Sequence, residues 1–444
     1  MILSEIIQSL NEFVFPRQLR RYQAVIAGGG ITVIDGYEIK FLASWMARNG
    51  HIIYICSCNE STIAMITHRV RDGYPIVQCM DYLGREIRWT DGKKSTDSTT
   101  LILKTELRIH QNGIRDFIKL DKLNIRPVLL VGHNNFAHFL WNQLGAIIQL
   151  IRAGNYSCLD YFQISTPLGR LEDMLPLHHE KRLRELTRLG YRKIDPGVIF
   201  YRAGGTRVDT TAIEAVYNRA VKYLEQSSVS HERYLDFKQK SKDRVRIWIS
   251  VRHDKRTCIN FNDFLHGVLL PEIIHITDRI VLVIDGFSTQ FDFSTENPGF
   301  VERLHKNDET IRAFIASCES QGIKAFNLNG LSMYESIVYA REMDLYISHV
   351  GTLQHKVAWF SLAEGIVHMP PSRKWERQTK WLTDMVENGK APQVLATSDS
   401  CSDFETVTNG KDSNYYIEIS ETNRRVIKDA INRALIDRNI AALQ

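Results

Sequence analysis

The stretch LYISHVGTLQHKVAWFSLAEGIVHMPP, residues 345–371, sets the expectation for the whole fold. Residues 345–351 read as a strand, 352–365 as a helix and 366–371 as the end of a further strand. A strand, a helix and a strand in so short a span make the repeating unit of a parallel sheet. The first strand stops at Ser348-His349. Gly351 then allows close approach of the backbone, and Thr352 opens a helix whose first N–H groups suit an anion. Lys356 follows one turn later.

The same alternation extends upstream. RVRIWISVR (244–252) starts the series, and ITDRIVLVIDGFS (276–288), DETIRAFIASCESQG (308–322), IKAFNLN (323–329) and SMYESIVYAREMD (332–344) continue it as strand, helix, strand and helix. In WISVRHDKRTCINFNDF (248–264) a strand delivers Arg252, then Arg256, with Asn260 and Asn262 behind them. Guanidinium groups grip phosphate with paired N–H donors, so this strand end suits a diphosphate; a solvated basic turn is the plainer alternative. Asp285-Gly286 closes another strand, as a site edge or as a simple turn. Glu335 sits in a helix's first turn, where it accepts ribose hydroxyls or merely offsets the helix dipole.

The first half reads in similar terms. VIAGGGITVI (25–34) is a strand, IKFLASWMARNG (39–50) a helix closed by Gly50, and HIIYICS (51–57) the next strand. Residues 74–104 read as β-hairpins turning at Leu83-Gly84 and Asp91-Gly92. RPVLLVG (126–132) is a buried strand, 136–155 a long helix and QISTP (163–167) a short strand, followed by a helix through HHEKRLRELTRLG. Residues 207–243 are helical and charged, with a linker near 240. Two β/α series divided in this way predict an α/β protein of two facing Rossmann-like domains with parallel sheets. The first spans 1–240 with a β-hairpin insertion, and the second 241–419. An amphipathic helix at 420–444 is expected to pack back onto the first domain.

In GHNNFAHFLWNQLGAI (132–147) a strand ends at Gly132, a polar loop His133-Asn134-Asn135 follows, and a helix begins. Ligands of open α/β sheets gather at such carboxyl ends. His138 and Asn142, four apart, share one helix face. The plainer reading makes His138 and Trp141 core residues and the two asparagines a helix cap.

Composition narrows the field. The net charge of +5 suits anionic ligands, but no Lys/Arg stripe with interleaved aromatics calls for nucleic acid. Seven scattered cysteines without a CxxC pair argue against a disulfide framework or zinc site. Gly28-Gly29-Gly30 is no dinucleotide fingerprint, because Val33 stands where the third glycine belongs. His178-His179 lacks further metal ligands. No two aspartates are separated by one residue, and neither GxSxG nor GxxxxGK[ST] occurs. The N-terminus is no signal peptide and no apolar run approaches a membrane span, so the cytoplasm is expected. Residues 1–22 read as a surface helix, with contact to the inner face of a membrane as the minority reading.

In order and spacing, three segments together resemble glycosyltransferase family 61 and related bacterial capsule or lipopolysaccharide transferases. HFLWNQLGAI is similar to their helix with histidine, glutamate and proline, ISVRHDKRTCIN to their strand-loop with serine, arginines and asparagine, and LSMYESIVYAREMDLYISHVGTLQHKVAWF to their donor segment. Gln143 and Gly145 stand where the family often has glutamate and proline, and HVGT replaces HGAG.

The resemblance implies a metal-independent, inverting glycosyltransferase of the GT-B fold. Its co-substrate is a nucleotide sugar, its partner a glycan acceptor in bacterial surface polysaccharide synthesis. It places Arg252, Arg256, Asn260, Glu335, His349, Gly351 and Thr352 around the donor; Asp285 at its strand end and Lys356 one turn into its helix are read onto the same donor side from their positions in the sequence. Asn134, Asn135, Asn142 and Gln143 belong to the acceptor side. His138 is the first candidate for the general base and His133 the second. The alternatives are a transferase using a CMP-linked donor and a non-catalytic binding protein.

Overall fold

The computed structural model describes residues 4, 5, 7, 8, 31–34, 37–47, 50–58, 61–68, 76–120, 126–132, 135–152, 160–163, 166–175, 197–201, 208–253, 257–289, 298–361, 363–372, 392–395, 399–404 and 414–440. They form two compact units. Unit 1 comprises Met1–Asn134, His138–Thr166 and Arg170–Arg207; unit 2 comprises Asn135–Ala137, Pro167–Gly169 and Val208–Gln444.

Unit 1 opens with an antiparallel meander of six strands paired in chain order: β1 (Ile31–Ile34), β2 (Tyr37–Met46), β3 (Ile52–Cys58), β4 (Ser61–Thr67), β5 (Ile76–Asp81) and β6 (Ile87–Thr90). One face, with Ile39, Phe41, Tyr54 and Met65, packs on Val128, Leu130, Ile199 and Phe200. These belong to a three-stranded parallel sheet of β7 (Arg126–Val131), β8 (Asp160–Gln163) and β9 (Val198–Tyr201), ordered β8-β7-β9. The other face, with Leu42, Trp45, Ile53 and Ile66, packs on Leu103, Leu107 and Ile114 of the helices Asp97–Ile109 and Gln111–Ile118.

Burial on both faces explains one misreading. The segment at 39–50, expected to be a helix, is strand β2, and Gly50 (φ 79°) serves the turn into β3, donating from N to Ala47 O at 2.9 Å. A strand covered on both sides shows no polar alternation, so IKFLASWM carries no period-2 signal. The hairpin of β5 and β6 is present, but the expected β structure after it gives way to the helix from Asp97. There the Thr96 side chain caps Thr99 N. Unit 1 thus holds an antiparallel sheet as well as the expected parallel one. The expected segments at 1–22, 25–30 and 176–190 lie wholly or mostly outside the described residues.

Unit 2 is built on β10 (Val245–Ser250), β11 (Ile280–Asp285), β12 (Lys324–Asn327), β13 (Leu345–His349), β14 (Glu364–His368) and β15 (Gln393–Leu395). All pairs are parallel, in the order β12-β11-β10-β13-β14-β15. Counted within the sheet this is 3-2-1-4-5-6, a doubly wound α/β sheet. Ile247, Ile249, Leu282, Ile284 and Ile347 face a core completed by Phe264, Leu269, Ile427, Ile431 and Leu435. The last three come from the helix Glu421–Asp437, so the C-terminal helix, expected on the first domain, is part of the unit 2 core. A small hairpin of β16 (Cys401–Asp403) and β17 (Tyr415–Ile417) adjoins it.

The division falls at 207/208, upstream of the linker expected near 240. The helices Thr210–Glu225 and Ser228–Lys240 pack within unit 2: Tyr223 lies on Tyr334 at 5.2 Å between ring centres, Phe237 on Tyr339 at 4.9 Å, and Arg341 pairs with Glu214 at 2.7 Å. Among the described residues no helix is long and apolar enough to cross a membrane.

Candidate functional site

A doubly wound sheet leaves a crevice at the carboxyl ends of the strands where its order reverses. In unit 2 that point lies between β10 and β13. Strand β10 leads to Arg252, and β13 ends at His349. Arg252 Nη1 donates to His349 Nε2 at 2.9 Å. A guanidinium only donates, so Nε2 accepts, and the buried His349 ring is neutral with its proton on Nδ1.

After His349 the chain turns through Gly351, at φ 135° and ψ −153°, into the helix Thr352–Phe360. No side chain caps this helix. The helices that begin at Asp97, Thr210, Ser228, Met333 and Glu421 each have a Ser, Thr or Asp side chain accepting from a first-turn N–H. At the switch point the first-turn donors therefore have no such acceptor, which is the arrangement that receives an anion. Thr352 Oγ1 accepts from Asn135 Nδ2 at 3.4 Å, a long contact, and Phe136 lies against Trp359 and Phe360.

Behind this rim lies a buried charged pair. Lys356 Nζ meets Asp285 Oδ2 at 2.6 Å and donates to Ser288 Oγ at 2.7 Å, while Ser336 Oγ donates to Asp285 Oδ1 at 3.0 Å. Burial pulls the Lys356 ammonium down and pushes the Asp285 carboxyl up, and each charge partly restores the other. With Lys356 1% exposed and Asp285 at 0%, the pair anchors the helix Thr352–Phe360 to β11 rather than lining the crevice.

Two further expected donor residues are engaged locally. Glu335 completes a capping box, its Oε2 accepting from Ser332 N at 2.9 Å and Ser332 Oγ at 2.7 Å. Asn260 donates from Nδ2 to Ile417 O at 2.8 Å and accepts Ile417 N on Oδ1 at 2.9 Å, which holds β17 in place. Arg256 lies outside the described residues, as do His133 and Asn134.

Two histidines beside the crevice escaped the sequence reading. His253 donates from its backbone N to Asn307 Oδ1 at 3.0 Å, and its Nε2 meets Thr310 Oγ1 at 2.7 Å, tying the Arg252 loop to the helix Pro298–Ser320. Burial lowers its pKa. His368 stacks on Phe261, contacts Tyr415 Oη through Nδ1 at 2.6 Å, and burial pulls its pKa down to about 3. Its place opposite His349, as the last residue of a neighbouring strand, was the only available signal.

In unit 1, Gln143 clasps the end of β7: Oε1 accepts from Gly132 N at 2.9 Å and Nε2 donates to Gly132 O at 3.2 Å. His138 Nδ1 lies 2.9 Å from Asn142 Oδ1 and the ring stacks beside Trp141. With the amide oxygen as assigned, Nδ1 carries the proton and Nε2 is the basic nitrogen. The segment Phe139–Leu144 is a π-helix, a distortion frequent at functional sites. Among the described residues, no three metal-ligating side chains gather.

No family model matches the chain. No curated protein matches it either. Solved structures give distant likenesses. An α,α-trehalose 6-phosphate synthase from Burkholderia multivorans is 11% identical over 80% of this chain and 71% of its own, with a TM-score of 0.32. A UDP-forming α,α-trehalose-phosphate synthase from Burkholderia xenovorans, in complex with glucose-6-phosphate, is 9% identical over 62% of this chain and 65% of its own, at 0.28. An E. coli structure bound with UDP-2-fluoro glucose is 11% identical over 63% of this chain and 66% of its own, at 0.26.

Proposed function

We propose that the chain is a nucleotide-sugar-dependent glycosyltransferase of the GT-B kind, with the donor's diphosphate held at the switch point of unit 2. The observation that carries this reading is the juxtaposition of Arg252 with His349 beside the uncapped helix at Thr352. A guanidinium and a helix N-terminus both stabilise negative charge, and a nucleoside diphosphate gains negative charge as it departs. In the proposed reaction the acceptor hydroxyl attacks the anomeric carbon with inversion. The bond to the diphosphate breaks with its electron pair on the phosphate oxygen, and a general base takes the hydroxyl proton, a role for which the resemblance puts forward His138. The resemblance to surface-polysaccharide transferases supports a glycan acceptor, and the missing DxD supports independence from metal. Cytoplasmic placement is part of the same reading.

The test compares UDP, GDP and CMP in thermal shift, because a ligand stabilises only the fold that binds it. It then measures transfer from a panel of nucleotide sugars in EDTA. A shift with one nucleoside diphosphate, lost in Arg252→Ala, together with turnover in EDTA, is the expected result. A response to CMP alone transfers the assignment to CMP-linked donors. Binding without turnover on any donor favours a non-catalytic protein, and strict dependence on added metal overturns the mechanism. Full turnover by His138→Ala removes the base assignment alone.

A further inference from the structure

A second site lies in unit 1. The turn between β5 and β6 and the outer face of the helix Asp97–Ile109 enclose a cavity of about 280 Å³, lined by Tyr82, Leu83, Lys104, Thr105, Arg108 and Gln111 among others. Lys104 and Arg108 are four apart and so project from one helix face into the same space. Neighbouring carboxylates are engaged elsewhere: Glu106 with Trp45 Nε1 and His110, Glu86 with Arg88, and Asp81 with Arg85 N. Asp97, the other acid on this face, stands two turns before Lys104, roughly 10 Å away along the axis. The cavity therefore has an apolar floor and two cations without a carboxylate of their own among the described residues.

The surroundings indicate where its anion comes from. In unit 1 every large apolar side chain that is exposed among the described residues lies between 87 and 120: Ile87, Leu101 at 67%, Ile109 at 63%, and Leu120. Leu101 borders the cavity itself. Leu101 standing in water beside a pair of cations, with Ile109 exposed on the same helix, complements a surface that is anionic at its headgroups and apolar beneath. A soluble anion would use the cations and leave Leu101 at the border, and Ile109 exposed on the same helix, without a role.

We propose that this cavity seats the phosphate headgroup of an anionic membrane lipid, with Lys104 and Arg108 on the phosphate and Leu101 and Ile109 entering the acyl boundary. Unit 1 then rests on the membrane through the β5–β6 turn and the helix Asp97–Ile109. The inference stands independently of the reading of unit 2.

The experiment is flotation of the full chain with vesicles of phosphatidylcholine alone and of phosphatidylcholine with phosphatidylglycerol. The chain is expected to float only with the anionic vesicles. Lys104→Glu/Arg108→Glu is expected to lower the partition coefficient by at least ~10-fold, since each cation near an anionic leaflet contributes roughly five-fold. Leu101→Ser lowers it several-fold. All these side chains are on the surface, so the variants fold, which circular dichroism melts verify. Lys242→Glu/Arg425→Glu, the same charge change on exposed positions of unit 2, is expected to float like wild type. Equal binding to both vesicle types, equal loss in the unit 2 control, or full binding by the double reversal overturns the proposal. Inorganic phosphate supplies the other arm. Protection by phosphate that the double reversal abolishes, without flotation of wild type, makes this a site for a soluble anion and overturns the lipid assignment.

Discussion

Arg252 and His349, 97 residues apart in the chain, meet at 2.9 Å where the strand order of unit 2 reverses. The contact fixes the histidine as a neutral acceptor and holds at the crevice a guanidinium, the group whose forked N–H geometry matches a phosphate. Charge-assisted hydrogen bonds contribute roughly 1.5–3 kcal/mol each. Arg252→Ala is therefore expected to weaken nucleoside diphosphate binding by about 10-fold to 100-fold in titration calorimetry. Arg252 is only half-buried, so the melting temperature should hold within a few degrees. Unchanged affinity would remove Arg252 from the donor site.

Gly351 makes a second point of attack. Its φ of 135° with ψ of −153° belongs to a region that is essentially glycine's alone. A Cβ there costs on the order of 1–3 kcal/mol and shifts the N-terminus of the helix Thr352–Phe360. Gly351→Ala is expected to lower the denaturation midpoint and to lose nucleotide binding together. A variant of full affinity would show that the helix N-terminus plays no part in holding the anion.

How far this was legible depends on the range of each interaction. Gly351 and Arg252 stood out because strand-end glycines and arginines are local signals. The alternation of strand and helix from 244 onward was equally clear, since each strand is a short apolar run bounded by polar residues. The order of the strands, and hence the location of the crevice, is not written in any one segment. Strand β2 was misread because its two faces meet different apolar layers. Asn260 looked like a ligand until Ile417, 157 residues away, took both ends of its amide. Lys356, expected beside the donor, is buried for the same reason: its partner Asp285 ends strand β11, 71 residues earlier in the chain.

That ion pair makes a prediction about stability. Removing one member of a buried pair leaves an uncompensated charge, at a cost of about 3–5 kcal/mol. Lys356→Met is expected to lose that much in urea unfolding, and Asp285→Leu nearly as much. The double variant should recover most of the loss, because two apolar side chains of similar volume suit the site next to Trp248, over whose ring Lys356 Nζ lies at 5.6 Å. Additive losses in the double variant would contradict the pairing.

His368 gives the pH dependence. Burial holds its folded-state pKa at about 3, against an ordinary value of 6.5. The unfolded chain therefore binds a proton at this ring as pH falls through 6.5, while the folded chain stays neutral until about 3. Stability from this group is complete above pH 6.5 and is lost progressively as pH falls toward 3, at a limiting slope of about 1.4 kcal/mol per pH unit. Between pH 5.5 and 4.5 the wild type should lose about 1 kcal/mol to this group alone. His368→Gln keeps a hydrogen-bonding group near Tyr415 but cannot titrate, so its unfolding free energy should vary less over that interval, whatever its absolute stability. Parallel curves for the two proteins from pH 7 to 4 would mean that the His368 ring is reached by solvent and carries no buried penalty.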